Sequence, residues 1–258
     1  EPIVFRFSSP TRFRKKYVDE LTQSARIRMY VNANLVEIGL DGARRSVTEL
    51  RFKSFKREGS FAVRARHYVL CLGGIENARM LLNSHGDAQY AIGNEYGLVG
   101  RYFCEHLHFT LGEVLLKERL PGVHFIGPKP EFMDRAEILN FGLRLHQPPA
   151  PPKSYARAVG CSTDFTRKLA EKIGARLDCN PLAVLRIASE QALNPESRVV
   201  LSDKTDRFGL RRVALDWRLS EVDLATIRTA AVTCGRVFAE RDLGRAKLRD
   251  WGLAEPMK

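Results

Sequence analysis

Few side chains in this sequence stand at spacings that could carry chemistry. His106-Leu107-His108, with Glu105 beside them, puts two imidazoles on one side of an expected strand, which could begin a metal site. No third ligand clusters with them, so packing or surface histidines are the simpler account, and no metal is expected. His67, His85, His124 and His146 each stand alone. Glu190, near Asn194-Pro195, has the chemistry of a general base, but a carboxylate capping a turn explains it more simply. The five cysteines (Cys71, Cys104, Cys161, Cys179 and Cys234) are odd in number, widely spaced and without a CxxC pair. That argues against a zinc site and against a disulfide framework. GxGxxG, GxSxG, P-loop and HExxH patterns are all missing from these residues.

The most informative stretch is Val69-Leu70-Cys71-Leu72-Gly73-Gly74-Ile75-Glu76-Asn77-Ala78. A short apolar run ends in a double glycine and gives way to helical spacing, with Ile75, Ala78, Leu81 and Leu82 on one face. The pattern predicts a buried strand, a tight turn and a helix start. Without a Cβ, the turn can bring its backbone against a ligand, and the first helical amides with the helix dipole then face that ligand. Ligands in open α/β sheets sit at such strand ends. An ordinary packing turn satisfies the same residues. Cys71, inside the apolar run, is expected to be a small buried hydrophobe.

The elements around this turn follow from periodicity. Ser9-Pro10 ahead of Phe13, Tyr17, Val18 and Leu21 predicts a capped amphipathic helix. Ile27, Met29 and Val31 alternate with polar residues as in a half-buried strand, which Leu35 to Ile38 continues. Asp41-Gly42 and Glu58-Gly59 are turn signals, and with 47–55 and 61–65 they make a three-stranded meander leading into 68–72. Residues 86–100 are loop-like, and 106–117 return to strand character. The Pro- and Gly-rich stretch 121–152 predicts a surface excursion or lid. A short helix is expected over 164–173, then strands over 183–189, 197–202 and 212–219. The last two are joined by a turn at Asp206 to Gly209. Ser220 with Asp223 forms a capping box opening a helix through Ala225, Ile227, Ala230, Cys234, Val237 and Phe238. The result is an α+β or α/β chain.

Its 258 residues allow one large domain or two modest ones. No apolar run approaches the roughly 18 residues of a membrane span. The net charge of +12 is scattered, with short clusters at Arg12 to Lys16 and Arg44-Arg45. A basic stripe with interleaved aromatics is missing, so nucleic acid is not the expected partner. The opening Glu1-Pro2-Ile3-Val4-Phe5 looks like a chain met in its middle, and localisation is left open.

Four segments in order resemble the GMC (glucose–methanol–choline) flavin oxidoreductases: Val31 to Ile38; Val69 to Leu82 with Ser84; Gly93-Asn94 through Val99-Gly100-Arg101-Tyr102-Phe103 to His106; and Glu190, Asn194-Pro195-Glu196-Ser197-Arg198-Val199 and Asp216-Trp217. The resemblance implies the second part of a Rossmann-type FAD domain with a β-meander over 1–100. An incomplete mixed-sheet substrate domain with flanking helices would occupy 101–258. It implies FAD as cofactor, with main-chain groups at Leu35 reading the adenine, and Gly73 and Gly74 against the adenosine ribose and phosphate. Asn77 would support the cofactor or the turn. Arg79 would be a cofactor neighbour or an ion-pair partner, and Asn94 and His106 would have supporting roles. The substrate would be a small alcohol or carbohydrate losing hydride to FAD, with or without a separate electron acceptor. The dinucleotide fingerprint and the catalytic histidine of that family do not occur here. The expectation is therefore an internal fragment, inactive alone, whose histidine would lie beyond Lys258. A basic non-enzymatic module binding polyanions, or another class of FAD-dependent dehydrogenase, are the competing expectations.

Overall fold

The computed structural model describes residues 2, 9–43, 45–84, 91–120, 124–147, 168–169, 172 and 182–249. It is a mixed α/β structure. Among the described residues, every sheet is antiparallel, where the resemblance implied a mixed sheet in the second half. The chain divides into two compact units. One comprises Phe7–Cys104 with Leu193–Arg218; the other comprises Glu1–Arg6, Glu105–Ala192 and Leu219–Lys258.

The first unit begins with helix α1 (Phe13–Gln23). The expected cap does not form: Arg12 is the N-cap residue, without a side-chain cap, and Pro10 lies ahead of the helix. Strands β1 (Asn34–Leu40), β2 (Val47–Lys53) and β3 (Ser60–Val63) make the anticipated meander. The segment 27–31 does not join β1. Asn32 stands at φ 56°, which turns the chain before the strand, and Met29 and Val31 remain exposed. Residues 68–72 likewise have no ladder partner among the described residues, and Val69 is 79% exposed. Cys71 is therefore exposed, contrary to the expectation from its apolar neighbours. Helix α2 (Gly74–Asn83) follows and buries Met80 and Leu82; Ile75, expected on the inner face, is exposed.

In the second unit, β4 (Leu107–Leu116), β5 (His124–Ile126), β6 (Phe141–His146), β7 (Leu182–Ser189) and β10 (Gly244–Leu248) form one sheet in the order β10-β4-β7-β6-β5. Helix α3 (Pro130–Ala136) lies between β5 and β6 in sequence. The predicted excursion over 121–152 is thus corrected for residues 124–147. Phe141, Leu143 and Leu145 alternate inward on β6 and are buried in the core, and a lid would leave them in water. The proline run 148–152, Cys161, Cys179 and most of the helix expected over 164–173 lie outside the described residues.

Helix α4 (Glu221–Glu240) covers the inner face of this sheet with Ile227, Ala230, Ala231, Cys234 and Phe238, spaced as one helical stripe. Val237 is exposed. Asp223 fixes the helix start. Its Oδ2 accepts from the Ser220 amide (2.6 Å) and hydroxyl (2.8 Å), and its Oδ1 accepts from the Ala192 amide at 2.7 Å. Burial pushes the Cys234 thiol up to about 12.

The first unit draws its last two strands from far downstream. Strands β8 (Arg198–Thr205) and β9 (Arg211–Asp216) form a hairpin that packs on α2. At Gly100, with φ 82°, the carbonyl accepts from the Val199 amide at 2.7 Å. A Cβ there would overlap the Val199 carbonyl oxygen, so both dihedral and space demand glycine. Gly100→Ala is expected to destabilise this unit by about 2–4 kcal/mol, measured by urea denaturation. An unchanged midpoint would refute the close contact.

Candidate functional site

Gly73 has φ 89° and ψ 166°, a region of backbone space open essentially to glycine alone. It is the N-cap of α2 and has no side-chain cap. The first helical hydrogen bond runs from the Asn77 amide to the Gly73 carbonyl at 2.9 Å. The amides of Gly74, Ile75 and Glu76 thus precede the helical ladder, where a helix presents donors and positive potential. A Cβ built at either glycine meets no atom within 4 Å, so open space adjoins the turn. The glycine requirement at position 73 is therefore one of dihedral angle and not of crowding.

Asn77 holds the turn together. Its Oδ1 accepts from the Leu72 amide (3.0 Å) and its Nδ2 donates to the Leu70 carbonyl (3.3 Å), as a neighbouring strand would. These bonds are those of a residue that supports the turn. Leu35 is half-buried on β1, which touches α2 and is an edge strand of its sheet. Main-chain groups on the outer side of such a strand are free of ladder bonds.

Arg79 is the ion-pair partner anticipated as one option. Its guanidinium donates to Asp206 at 2.7 Å, to Glu76 and, through Nε, to the Arg211 carbonyl at 2.8 Å. Its side chain is only 11% exposed. Burial works against the Arg79 charge, but hydrogen bonds to Asp206 and Glu76, aided by their charges, outweigh it and hold the group protonated. Burial likewise pushes the Asp206 carboxyl up. The Arg79 hydrogen bond, the amides of Phe208 and Leu210 and the Arg79 charge overcome this and hold it below the usual carboxylate range. Asn83 adds a second tie, donating to the Arg211 carbonyl and accepting from the Arg211 amide, both at 3.0 Å.

The remaining candidates are structural in their contacts. Asn94 Oδ1 accepts from the Val99 amide at 2.8 Å. His106 precedes β4 instead of sharing a strand face with His108, and its nearest carboxylate is Glu105 at 3.8 Å. Among the described residues no three His, Cys, Asp or Glu side chains come together as a metal site. Glu190 accepts from the Asn140 amide at 3.3 Å, while its own amide donates to the Asn140 carbonyl at 2.9 Å. In the 194–198 run, Asn194 Oδ1 accepts from the Glu196 amide, and the buried Ser197 hydroxyl donates to the Phe103 carbonyl. Hydrogen bonding from Arg198, opposed by desolvation and aided by Arg101, holds the Glu196 carboxyl below its usual range.

Sequence order hid one further feature. Phe55 stacks on Phe208 with ring centroids 4.4 Å apart, and the Arg207 guanidinium lies 5.1 Å from the Phe55 ring centre. Lys53, Lys56, Arg57 and Arg207 line an open cleft of about 580 Å³ around them. No helix among the described residues is long and apolar enough to cross a membrane.

No family model and no curated protein matches the sequence at a significant level.

Asp206 contributes stability above its unfolded pKa of about 3.9, and that contribution is lost as pH falls through its lower folded value. Asp206→Asn is expected to weaken the first unit at pH 7 by about 1–2 kcal/mol and to flatten its stability loss below about pH 4. Chemical denaturation at pH 7 and pH 3 measures both; a parallel acid profile in the variant refutes the assignment.

Proposed function

We propose that this chain is part of an FAD-dependent oxidoreductase of GMC type acting on the CH–OH group of a small alcohol or carbohydrate. The observation that carries the reading is the Gly73–Gly74 turn. It combines a glycine-only backbone, unladdered first-turn amides and adjacent open space, all fastened by Asn77. Those features suit the ribose and phosphate of an adenosine moiety, because a turn without Cβ atoms allows close approach and the amides favour negative charge. Leu35 on the neighbouring edge strand offers main-chain groups to the base. A Rossmann-type arrangement belongs to the same proposal. It is supported by 27–31 and 68–72, two apolar segments without ladder partners among the described residues.

FAD, when bound, supplies the hydride acceptor. The residues here bind and orient its adenosine end; the dinucleotide fingerprint and the catalytic histidine motif are not among these 258 residues. Titrating the chain with FAD and with ADP, followed by backbone amide NMR shifts, is expected to move Gly74, Ile75 and Glu76 with both ligands. Gly73→Ala is expected to raise the Kd that those shifts report about tenfold, a cost of about 1.4 kcal/mol. Unmoved first-turn amides at millimolar ligand overturn the adenosine assignment. Alcohol-dependent flavin reduction by this chain alone overturns the division of labour.

The cleft around Phe55 and Phe208 favours a second reading, a basic module that binds polyanions without catalysis. It predicts heparin binding that falls steeply with salt and is largely lost in the double variant Lys56→Glu, Arg57→Glu. No heparin binding at low salt removes it.

A further inference from the structure

A pocket of about 290 Å³ lies wholly within the second unit, lined by residues of β5, α3, β6 and α4. Its walls are apolar: Ile126 from β5, Phe132 from α3, Phe141 and Leu143 from β6, and Val237 and Phe238 from α4. Ala230, Thr233 and Val237 recur at helical spacing and share the lining face of α4, where the small Ala230 leaves room. Protein interiors pack close to crystal density, with few voids larger than a water molecule. Apolar space of this size beside the core is therefore a place for a ligand. Ligand pockets begin at roughly 300 Å³, and a dry apolar cavity of roughly 150 Å³ already takes benzene.

Two polar groups of the lining are unused by the fold. Among the described residues, Lys129 is the one charged member of the lining, and no Asp or Glu opposes it there. It is exposed, and its ammonium has neither ion pair nor hydrogen bond. Because Pro130 follows, Lys129 is held extended at ψ 151°. Its contribution to α3 is its carbonyl, which accepts from the Phe132 and Met133 amides at 3.0 and 3.1 Å. The side chain is thus left for another partner. The Thr233 hydroxyl likewise makes no hydrogen bond among the described residues. Burial keeps the Cys234 thiol neutral, so the lining holds no group that would repel an acid.

We infer that this pocket binds a small aryl-substituted carboxylic acid. Its ring lies among Phe132, Phe141 and Phe238, its carboxylate on Lys129, and Thr233 supplies a further donor. Aromatic rings attract one another in offset and edge-to-face packing. A carboxylate beside an unpaired ammonium gains a charge-assisted hydrogen bond. Such an acid has no CH–OH group to give up hydride, so this is a separate ligand site that stands apart from the flavin reading.

Isothermal titration of the full 258-residue chain with phenylpropionate, phenylpropanol and hexanoate tests it. Phenylpropionate is expected to bind about fivefold more tightly than phenylpropanol, the reach of a solvent-exposed ion pair. It should also bind more tightly than hexanoate, which lacks the ring. Lys129→Gln, at an exposed position, should bring the acid down to the level of the alcohol without changing the thermal midpoint. Lys129→Arg should keep the preference. Val237→Trp, which fills the pocket, should abolish binding of both aryl ligands; if that variant fails to fold, the Lys129 series still decides. No phenylpropionate binding at millimolar concentration, equal affinity for the alcohol, or a Lys129→Gln variant that binds like the parent overturns the inference. Hexanoate binding as tight as phenylpropionate overturns the aryl assignment. Undiminished binding by a folded Val237→Trp variant puts the ligand elsewhere and overturns the site.

Discussion

A single half-sequestered guanidinium fastens the glycine turn to the rest of its unit. Arg79 projects from α2 and meets Asp206, which is 127 residues away in sequence, while its Nε takes the Arg211 carbonyl. A charge this far from water needs an opposite charge and filled hydrogen bonds, and removing one partner of such a pair is costly. Asp206 also accepts the Phe208 and Leu210 amides, so one carboxylate shapes the β8–β9 turn and anchors α2 against it. The position of Gly73 and Gly74 follows from that anchorage at one end and from Asn77 at the other. The loop before β4 is fastened to β8 by the same economy of polar contacts: Gly100 to Val199, and Ser197 to Phe103.

The second unit divides its chemistry between the two faces of one sheet. Inward residues of β4, β6 and β7 meet the apolar stripe of α4, whose first turn is held by the buried Asp223. The opposite face carries Arg144, Arg186, His108 and Thr110. Because strand side chains alternate, the same six or eight residues can build a dry core and a charged surface at once. Neither face compromises the other. The arginine row stands out because nothing in the core requires two cations side by side.

How much of this was legible depended on whether the deciding contacts were local. The meander, the Asp206 to Gly209 turn and the Ser220–Asp223 helix start were all readable, since turn chemistry and capping act over a few residues. The 124–147 region was misread because Pro and Gly frequency outweighed the alternation of Phe141, Leu143 and Leu145. Cys71 and Ile75 were placed inside because an apolar run usually finds a covering layer, and here none is present among the described residues. At the candidate turn, the glycine requirement and the helix start were visible in sequence, whereas the role of Asn77 needed the positions of the Leu70 carbonyl and the Leu72 amide.

By itself the sequence determined the elements that depend on short-range rules: where glycine must stand, where helices start, and which strands alternate. Its ordered motifs also carried the resemblance to flavin oxidoreductases. Tertiary structure decided which distant segments share a unit. It joined 193–218 to 7–104, seated Arg79 on Asp206, stacked Phe55 on Phe208 and aligned Arg144 with Arg186. The reason is physical. Backbone preference and capping are set by neighbours along the chain, while ion pairs, stacking and strand register are set by the burial of surfaces that chain order does not reveal.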